Sequence, residues 1–226
     1  MKATVSLSFM LLGVVFCACL VASNLLETKI LQFGPVTITA GFLVFPISYI
    51  INDCIAEVWG FRKARLIIWL GFAVNFAMVA LFQLAVALPA APFWEGDAAF
   101  RFIFGLAPRI AAASLAAFLL GSFLNAYVMS RMKIASRGKH FSARAVLSTL
   151  AGESADSLIF FPLAFGGLVP VQELVKMMAI QIFAKTAYEI VVLPVTIRVV
   201  NFLKKIEDSD AYDTDISYNI LKIREL

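Results

Sequence analysis

Four stretches of this sequence run for 21 to 29 residues without a charged side chain: Ala3–Leu26, Ile30–Asn52, Leu66–Trp94 and Ile110–Ser130. A helix rises about 1.5 Å per residue, so ~20 apolar residues cross the ~30 Å hydrocarbon core of a bilayer. Two later segments, about 147–168 and 174–203, are as apolar in bulk but interrupted by charges. The expected fold is an all-α integral membrane protein, a compact bundle of six transmembrane helices. It fills residues 1–203, and a C-terminal tail covers 204–226. The first run exceeds the 7–15 residues of a signal-peptide core and reads as helix 1. Composition agrees, with 62% apolar and 15% charged residues. A soluble domain carries about 25% charge, and this chain has too few polar residues to cover a water-facing surface. Disordered chains are poor in apolar residues, and outer-membrane strands alternate apolar with polar residues, so both classes are excluded.

The basic residues orient the bundle. With six crossings, one side receives Lys2, then Arg62, Lys63 and Arg65, then Arg131, Lys133, Arg137, Lys139 and Arg144. Arg198, Lys204, Lys205, Lys222 and Arg224 close the chain on that side. The opposite side receives Lys29, Arg101, Arg109 and Lys176. The positive-inside rule puts both termini in the cytoplasm of a multi-pass bacterial inner-membrane protein. The net charge of +4 is this bias and gives no nucleic-acid signal. These loop bases read as solvated topology determinants, as does His140, and the acidic tail reads as weakly ordered. Pro89–Pro108, with Trp94, Glu95, Asp97 and Arg101, reads as a segment lying among lipid headgroups. Cys17, Cys19 and Cys54 lack metal-ligand spacing and are expected to be buried free thiols. No metal or other cofactor is implied.

The informative residues are charges at membrane depth, where each costs on the order of 2.5–3.5 kcal/mol on insertion scales. Asp53 and Glu57 fall in helix 2, Glu153 and Asp156 in helix 5, and Lys185 and Glu189 in helix 6. Residues three or four apart share a helix face. One face of helix 2 carries Phe45, Tyr49, Asp53 and Glu57. Helix 5 aligns Thr149, Glu153, Asp156, Ser157 and Phe160; helix 6 aligns Gln181, Lys185 and Glu189; helix 1 offers Asn24 and Glu27. Stripes facing inward would enclose a polar pocket in which one lysine, Lys185, meets five carboxylates. Asp156 or Asp53 is the expected partner of that lysine, and Glu57, Glu153 and Glu189 are equally placed to reach headgroups.

A carboxylate accepts both a ring N–H and the adjacent exocyclic amine of a guanine-type edge. Tyr49, Phe45 and Phe160 can stack on such a ring, an interaction worth ~1–3 kcal/mol per base where proteins bind single strands. An Asn or Gln, such as Asn24 or Gln181, meets the carbonyl edge. The same chemistry fits other amines, vitamins and bases.

Phe45-Pro46-x-x-Tyr49-x-x-x-Asp53-x-x-x-Glu57-x-x-Gly60 followed by Ala64-Arg65 resembles the pattern of the queuosine precursor transporters. So do Ser23-Asn24, Arg109-x-x-x-x-Ser114 with Gly121 and Asn125, and Lys185-x-x-x-Glu189-x-x-x-x-Pro194. Arg144-x-x-x-Ser148-Thr149-x-x-Gly152-Glu153-x-x-Asp156-Ser157-x-x-Phe160 is similar to the family's fifth helix. The resemblance covers roughly residues 24–194. It implies uptake of 7-deazaguanine bases, the 7-cyano or 7-aminomethyl precursor or queuine, for tRNA modification. It is firmest at Asn24, Asp53, Asp156 and Lys185. It also implies a six-helix plan similar to the substrate-binding subunits of energy-coupling factor importers.

The expected binding set is therefore Asn24, Phe45, Tyr49, Asp53, Glu57, Glu153, Asp156, Phe160, Gln181 and Lys185. The partners are a small purine-like substrate and the lipid bilayer, not nucleic acid, with monomer and homodimer both open. Proton coupling is available to the buried acids. The nearest rival is a vitamin-type binding subunit driven by a separate ATPase. An intramembrane enzyme using paired acids is the rival from another class, but no Ser/His pairing, HExxH or His-rich site supports it. The chain is therefore expected not to be an enzyme.

Overall fold

The computed structural model describes residues 5–27, 29–33, 36–105, 108–167, 170–214 and 216–222. Lys2 and Arg224, which entered the charge reading above, lie outside the described residues. Helix α1 (Leu7–Leu26) begins at Ser6, whose Oγ accepts the Phe9 N–H at 3.3 Å. An antiparallel hairpin follows, β1 (Ile30–Phe33) with β2 (Val36–Thr39), Ile30 opposite Thr39 and Phe33 opposite Val36. The hairpin corrects the expectation that the charge-free run from Ile30 is helical from its start. That run is rich in β-branched residues and carries Gly34-Pro35 in sequence, chemistry that opposes a helix. A 3₁₀ turn (Ala40–Leu43) then leads into α2 (Phe45–Trp59), with Pro46 in its first turn, where a missing N–H costs nothing.

Gly60, at φ +83°, breaks the chain sharply into α3 (Phe61–Ala87). The short α4 (Asp97–Phe104) lies in the segment expected among headgroups. It is tied back to α3 by Phe82 against Phe104 (5.0 Å between centroids) and by Gln83 Nε2 donating to the Phe104 carbonyl at 3.0 Å. Then come α5 (Pro108–Ala135), α6 (Phe141–Phe165) and α7 (Val171–Glu207). Helices α5 and α6 are antiparallel neighbours. Ala113 and Ala117 meet Phe160, Phe161 and Ala164 at one end, and Met129 meets Arg144 at the other.

Among the described residues, five helical spans are long and apolar enough to cross a membrane: α1, the 3₁₀ turn with α2, α3, α5 and α7. Helix α6, at 25 residues, is not among them, because Arg144, Glu153 and Asp156 lower its apolarity. Burial sorts the spans. Most of the α2 span, 72%, is inside the protein, against 22–28% for α1, α3 and α7. Helix α2 is the axis, and the outer helices turn apolar faces outward.

Two helix ends differ from expectation. Helices α5 and α6 run further into the basic loop, which buries Lys133 and Arg144 rather than leaving them solvated, and Arg65 near the start of α3 is buried as well. The described tail beyond α7 packs against the bundle, whereas its sequence reads as weakly ordered. Asp213 accepts the Phe61 N–H at 2.9 Å, Trp69 Nε1 donates to the Ile220 carbonyl at 2.8 Å, and Tyr218 lies 5.0 Å from the rings of Phe61 and Tyr127. His140 is exposed as expected. Cys17 and Cys19 are only half-buried and Cys54 is buried, so the expectation of three buried thiols holds for Cys54 alone. Among the described residues no cluster of His, Cys, Asp or Glu could hold a metal ion.

Candidate functional site

One face of α2 carries Phe45, Tyr49, Asp53 and Glu57, about 6 Å apart along the axis at four residues per step. Helices α5, α6 and α7 meet that face in layers, forming a polar column through the middle of the bundle.

At the first layer the Lys185 ammonium sits 3.8 Å from the centroid of the Phe45 ring, a cation–π contact. Its Nζ is 2.8 Å from Glu153 Oε2 and 3.7 Å from Asp156 Oδ2. Lys185, Glu153 and Asp156 are all buried. The lysine therefore pairs first with Glu153, where the sequence pointed to Asp156 or Asp53. Gln181 is buried one turn earlier on α7.

At the second layer Tyr49 lies where α5 and α6 cross most closely. A Cβ on Gly152 would stand 2.7 Å from Tyr49 Cε1 and 2.9 Å from the Gly121 carbonyl, so only glycine fits there. The Tyr49 hydroxyl, Glu153 Oε1 and Ser157 Oγ are buried without a hydrogen-bond partner.

The third layer holds Asp53, fully buried, with the Ser148 hydroxyl donating to it at 3.4 Å. Asp53 also faces Asn125 and Glu189. Asn125 is fixed by Asn52, whose Nδ2 donates to Asn125 Oδ1 at 2.7 Å and to the Ser122 carbonyl at 3.1 Å. Sequence reasoning missed Asn52 as part of this layer.

The fourth layer is built around Glu57. Arg144 grips its carboxylate with both terminal nitrogens, Nη2 at 3.1 Å from Oε1, and Lys204 Nζ lies 2.6 Å from Oε1. Lys133 stands 3.6 Å from Oε1 and donates to the Glu57 carbonyl at 2.6 Å. Asp210, just beyond α7, bonds both Lys133 and Lys204, the latter at 2.9 Å. Partial burial raises the Asp210 pKa, but the hydrogen bonds from the two lysines outweigh it and hold the carboxyl below its ordinary 3.8. Glu57 and Glu153 thus meet protein cations, not headgroups, and Glu189 is equally buried. Spacing could have revealed Arg144. It lies four residues before Ser148 and eight before Gly152, on the face that leads into the inward stripe.

Two expected residues lie apart from the column. Asn24 donates to Asn75 Oδ1 at 2.7 Å and accepts from Ser114 at 2.8 Å. These three, with Glu27 and Gln83, border a cavity of about 40 Å³ beneath α4. Glu27 lies within electrostatic reach of Lys185, which links that cavity to the first layer. Phe160 packs among Phe161, Phe165, Ala113 and Leu174 rather than over the polar groups.

Residues 39–199 match a family model described as "Putative vitamin uptake transporter", which covers the column from Phe45 to Glu189 but not Lys204 and Asp210 of its fourth layer. A Bacillus subtilis protein named "Probable queuosine precursor transporter" is 27% identical over 77% of this chain and 76% of its own length. The Escherichia coli protein named "Queuosine precursor transporter" is 30% identical over 56% of this chain and 55% of its own. A Haemophilus influenzae protein, named as the first is, is also 30% identical, over 56% of this chain and 52% of its own. No solved structure matches the chain.

Proposed function

The chain belongs to the queuosine precursor transporter family, and from that premise we propose that it imports 7-deazaguanine bases across the bacterial inner membrane for tRNA modification. A transporter role follows from the family; the substrate and its site are our reading. In that reading α6 is the sixth crossing, its polar side turned to the column, and both termini face the cytoplasm.

The observation that carries the proposal is a set of unpaired buried polar atoms on the α2 and α6 sides of the column: the Tyr49 hydroxyl, Glu153 Oε1 and Ser157 Oγ. Leaving such a group unsatisfied costs about 1–3 kcal/mol. A fold retains that cost where a ligand supplies the missing bonds. A planar base lying against the Tyr49 ring, which itself touches Phe45 at 5.5 Å between centroids, would meet a ring face and carboxylates together. Glu153 at 2.8 Å neutralises Lys185, and Asp156, further from the lysine at 3.7 Å, is the acid best placed to accept the paired N–H donors of a guanine-type edge. Gln181 would reach the carbonyl edge and Asn24 the cavity beneath α4. Glu57 is held by the protein's own cations and would support the site without touching substrate.

Proton coupling belongs to the same reading. Asp53 and Glu189 are both buried acids of the column, and a proton carried on one of them could cross with substrate. A protonophore would then abolish accumulation against a gradient.

The test is complementation. A strain unable to make deazaguanines is supplied with low concentrations of each base, and queuosine in its tRNA is measured. The chain should restore queuosine, and Asp156→Asn should abolish the rescue while the protein stays folded in the membrane. Undiminished rescue by Asp156→Asn would remove that residue from the site. The family's description as vitamin uptake favours one second reading, a binding subunit needing a separate ATPase. Uptake by the purified chain alone in liposomes would exclude it.

A further inference from the structure

The column ends at the Glu57 layer, and what closes it there comes from outside the matched span of 39–199. Lys204 reaches Glu57 from the last turn of α7, and Asp210 bridges Lys204 to Lys133. The chain then crosses the ends of α2 and α3. Ser209 Oγ donates to the Val58 carbonyl at 2.9 Å and the Ala211 N–H to the same oxygen at 3.2 Å, satisfying the C-terminal end of α2. Asp213 caps the start of α3 through the Phe61 N–H and also accepts from Ser130 of α5. Arg65 of α3 donates to the Ser217 and Asn219 carbonyls at 3.1 and 2.7 Å, and Trp69 to Ile220.

Resting on the transport reading above, we propose that the Glu57 layer is the inner gate of the column. The segment carrying Ser209, Asp210, Asp213, Tyr218 and Ile220 is its latch, which must release for substrate to leave. Three features support a device that opens. Most of the latch bonds go to backbone groups and ionic side chains, which water can replace once the segment lifts. The bonds tie together α2, α3, α5 and α7, so lifting one segment frees four helices at one end. The ionic layer is fully paired in the closed form, which makes closure a defined state and not a loose end.

Cys54 reports on the gate. It is buried against Val58, Val200 and Leu203, beside the Glu57 layer. In a Cys17→Ser/Cys19→Ser chain reconstituted in liposomes, a water-soluble thiol reagent should label Cys54 slowly. Asp213→Asn should accelerate labelling about tenfold, as expected when one charge-assisted hydrogen bond is removed from a closing equilibrium. Unchanged labelling in Asp213→Asn, with the protein folded by circular dichroism, would overturn the latch.

A second arm covers a variant that fails to fold. Trp69→Cys with Ile220→Cys, in a chain whose native cysteines are serine, joins latch to α3 by a cleavable bismaleimide in the closed form. The cross-link should arrest base uptake and cleavage should restore it; full uptake with the cross-link intact would overturn the proposal. The labelling arm needs no substrate. Absence of uptake by the uncross-linked chain would therefore sink the transport reading, and Cys54 labelling would still decide the latch.

Discussion

Removing the Lys185 charge tests the electrostatics of the column most directly. Lys185→Met keeps the length of the side chain but leaves Glu153 and Asp156 buried without a cation, a change that typically costs 3–5 kcal/mol. The geometry says which acid loses more. At an effective dielectric of about 20, a charge pair at 2.8 Å is worth about 6 kcal/mol and one at 3.7 Å about 4.5 kcal/mol. Desolvation of Lys185 is common to both pairs, so the difference of about 1.5 kcal/mol is the robust quantity. Double-mutant cycles of Lys185→Met with Glu153→Gln and with Asp156→Asn isolate the two couplings. Reversible unfolding in mixed detergent micelles, followed by tryptophan fluorescence, gives the free energies. The Glu153 coupling should exceed the Asp156 coupling by about 1–2 kcal/mol. An equal or larger coupling to Asp156 would refute both the pairing and the role of Asp156 as the acid left for substrate.

Four further outcomes are expected. Gly152→Ala should lower the unfolding free energy by about 1–3 kcal/mol, because its Cβ would meet Tyr49 and the Gly121 backbone; unaltered stability would refute the close crossing. Tyr49→Phe should leave unfolding unchanged or slightly improved, since its hydroxyl has no partner in the protein, and should weaken base uptake; a loss of stability above about 1 kcal/mol would count against it. Glu57→Gln should cost several kcal/mol, on the order of 3–5, because Arg144, Lys133 and Lys204 would lose their shared counter-charge; stability measured in micelles checks it. Asp210 titrates below its ordinary 3.8 when folded, so its bonds to the two lysines are present above that value and fail as pH falls through the lower one. In a Trp59→Phe/Trp94→Phe chain, the fluorescence of Trp69, tied to the latch at Ile220, should stay flat from pH 7 to 5 and change only below pH 3.8. A transition near neutral pH would refute it.

Much of the column was legible because hydrocarbon makes each misplaced charge conspicuous. The i,i+4 stripe from Phe45 to Glu57 and the stripe from Thr149 to Phe160 fix helix faces without reference to neighbours. What spacing cannot give is which stripe meets which. The preference of Lys185 for Glu153 depends on the depth at which α7 crosses α6, a tertiary quantity. The loop bases Lys133 and Arg144 were misread because loop and helix end look alike in sequence. A helix prolonged by one turn moves a lysine from water to the core. The hairpin was hidden for the converse reason. Residues 30–39 carry no charge and open a 23-residue uncharged run that satisfies a membrane criterion, and only their β-branching and Gly34-Pro35 argue for strands. Phe160 illustrates the limit of stripe logic, since its position is on the inward face but its ring turns into an apolar cluster.

The charges at depth divide by how well the protein's own groups satisfy them, and the proposed function rests on that division. Glu57 has three cations and a tail carboxylate completing the set, so its layer resembles a buried ion network whose members would be costly to lose and have nothing left to offer a ligand. Around Lys185 the balance is different. Two acids share one ammonium, one of them at a distance that leaves it weakly engaged, and a tyrosine hydroxyl on α2 and a serine hydroxyl on α6 are unpaired. Insertion into a bilayer penalises both layers alike. Of these two layers, the second keeps donors and acceptors open after folding is complete, and under the proposed function those are the bonds a base with adjacent N–H groups would complete.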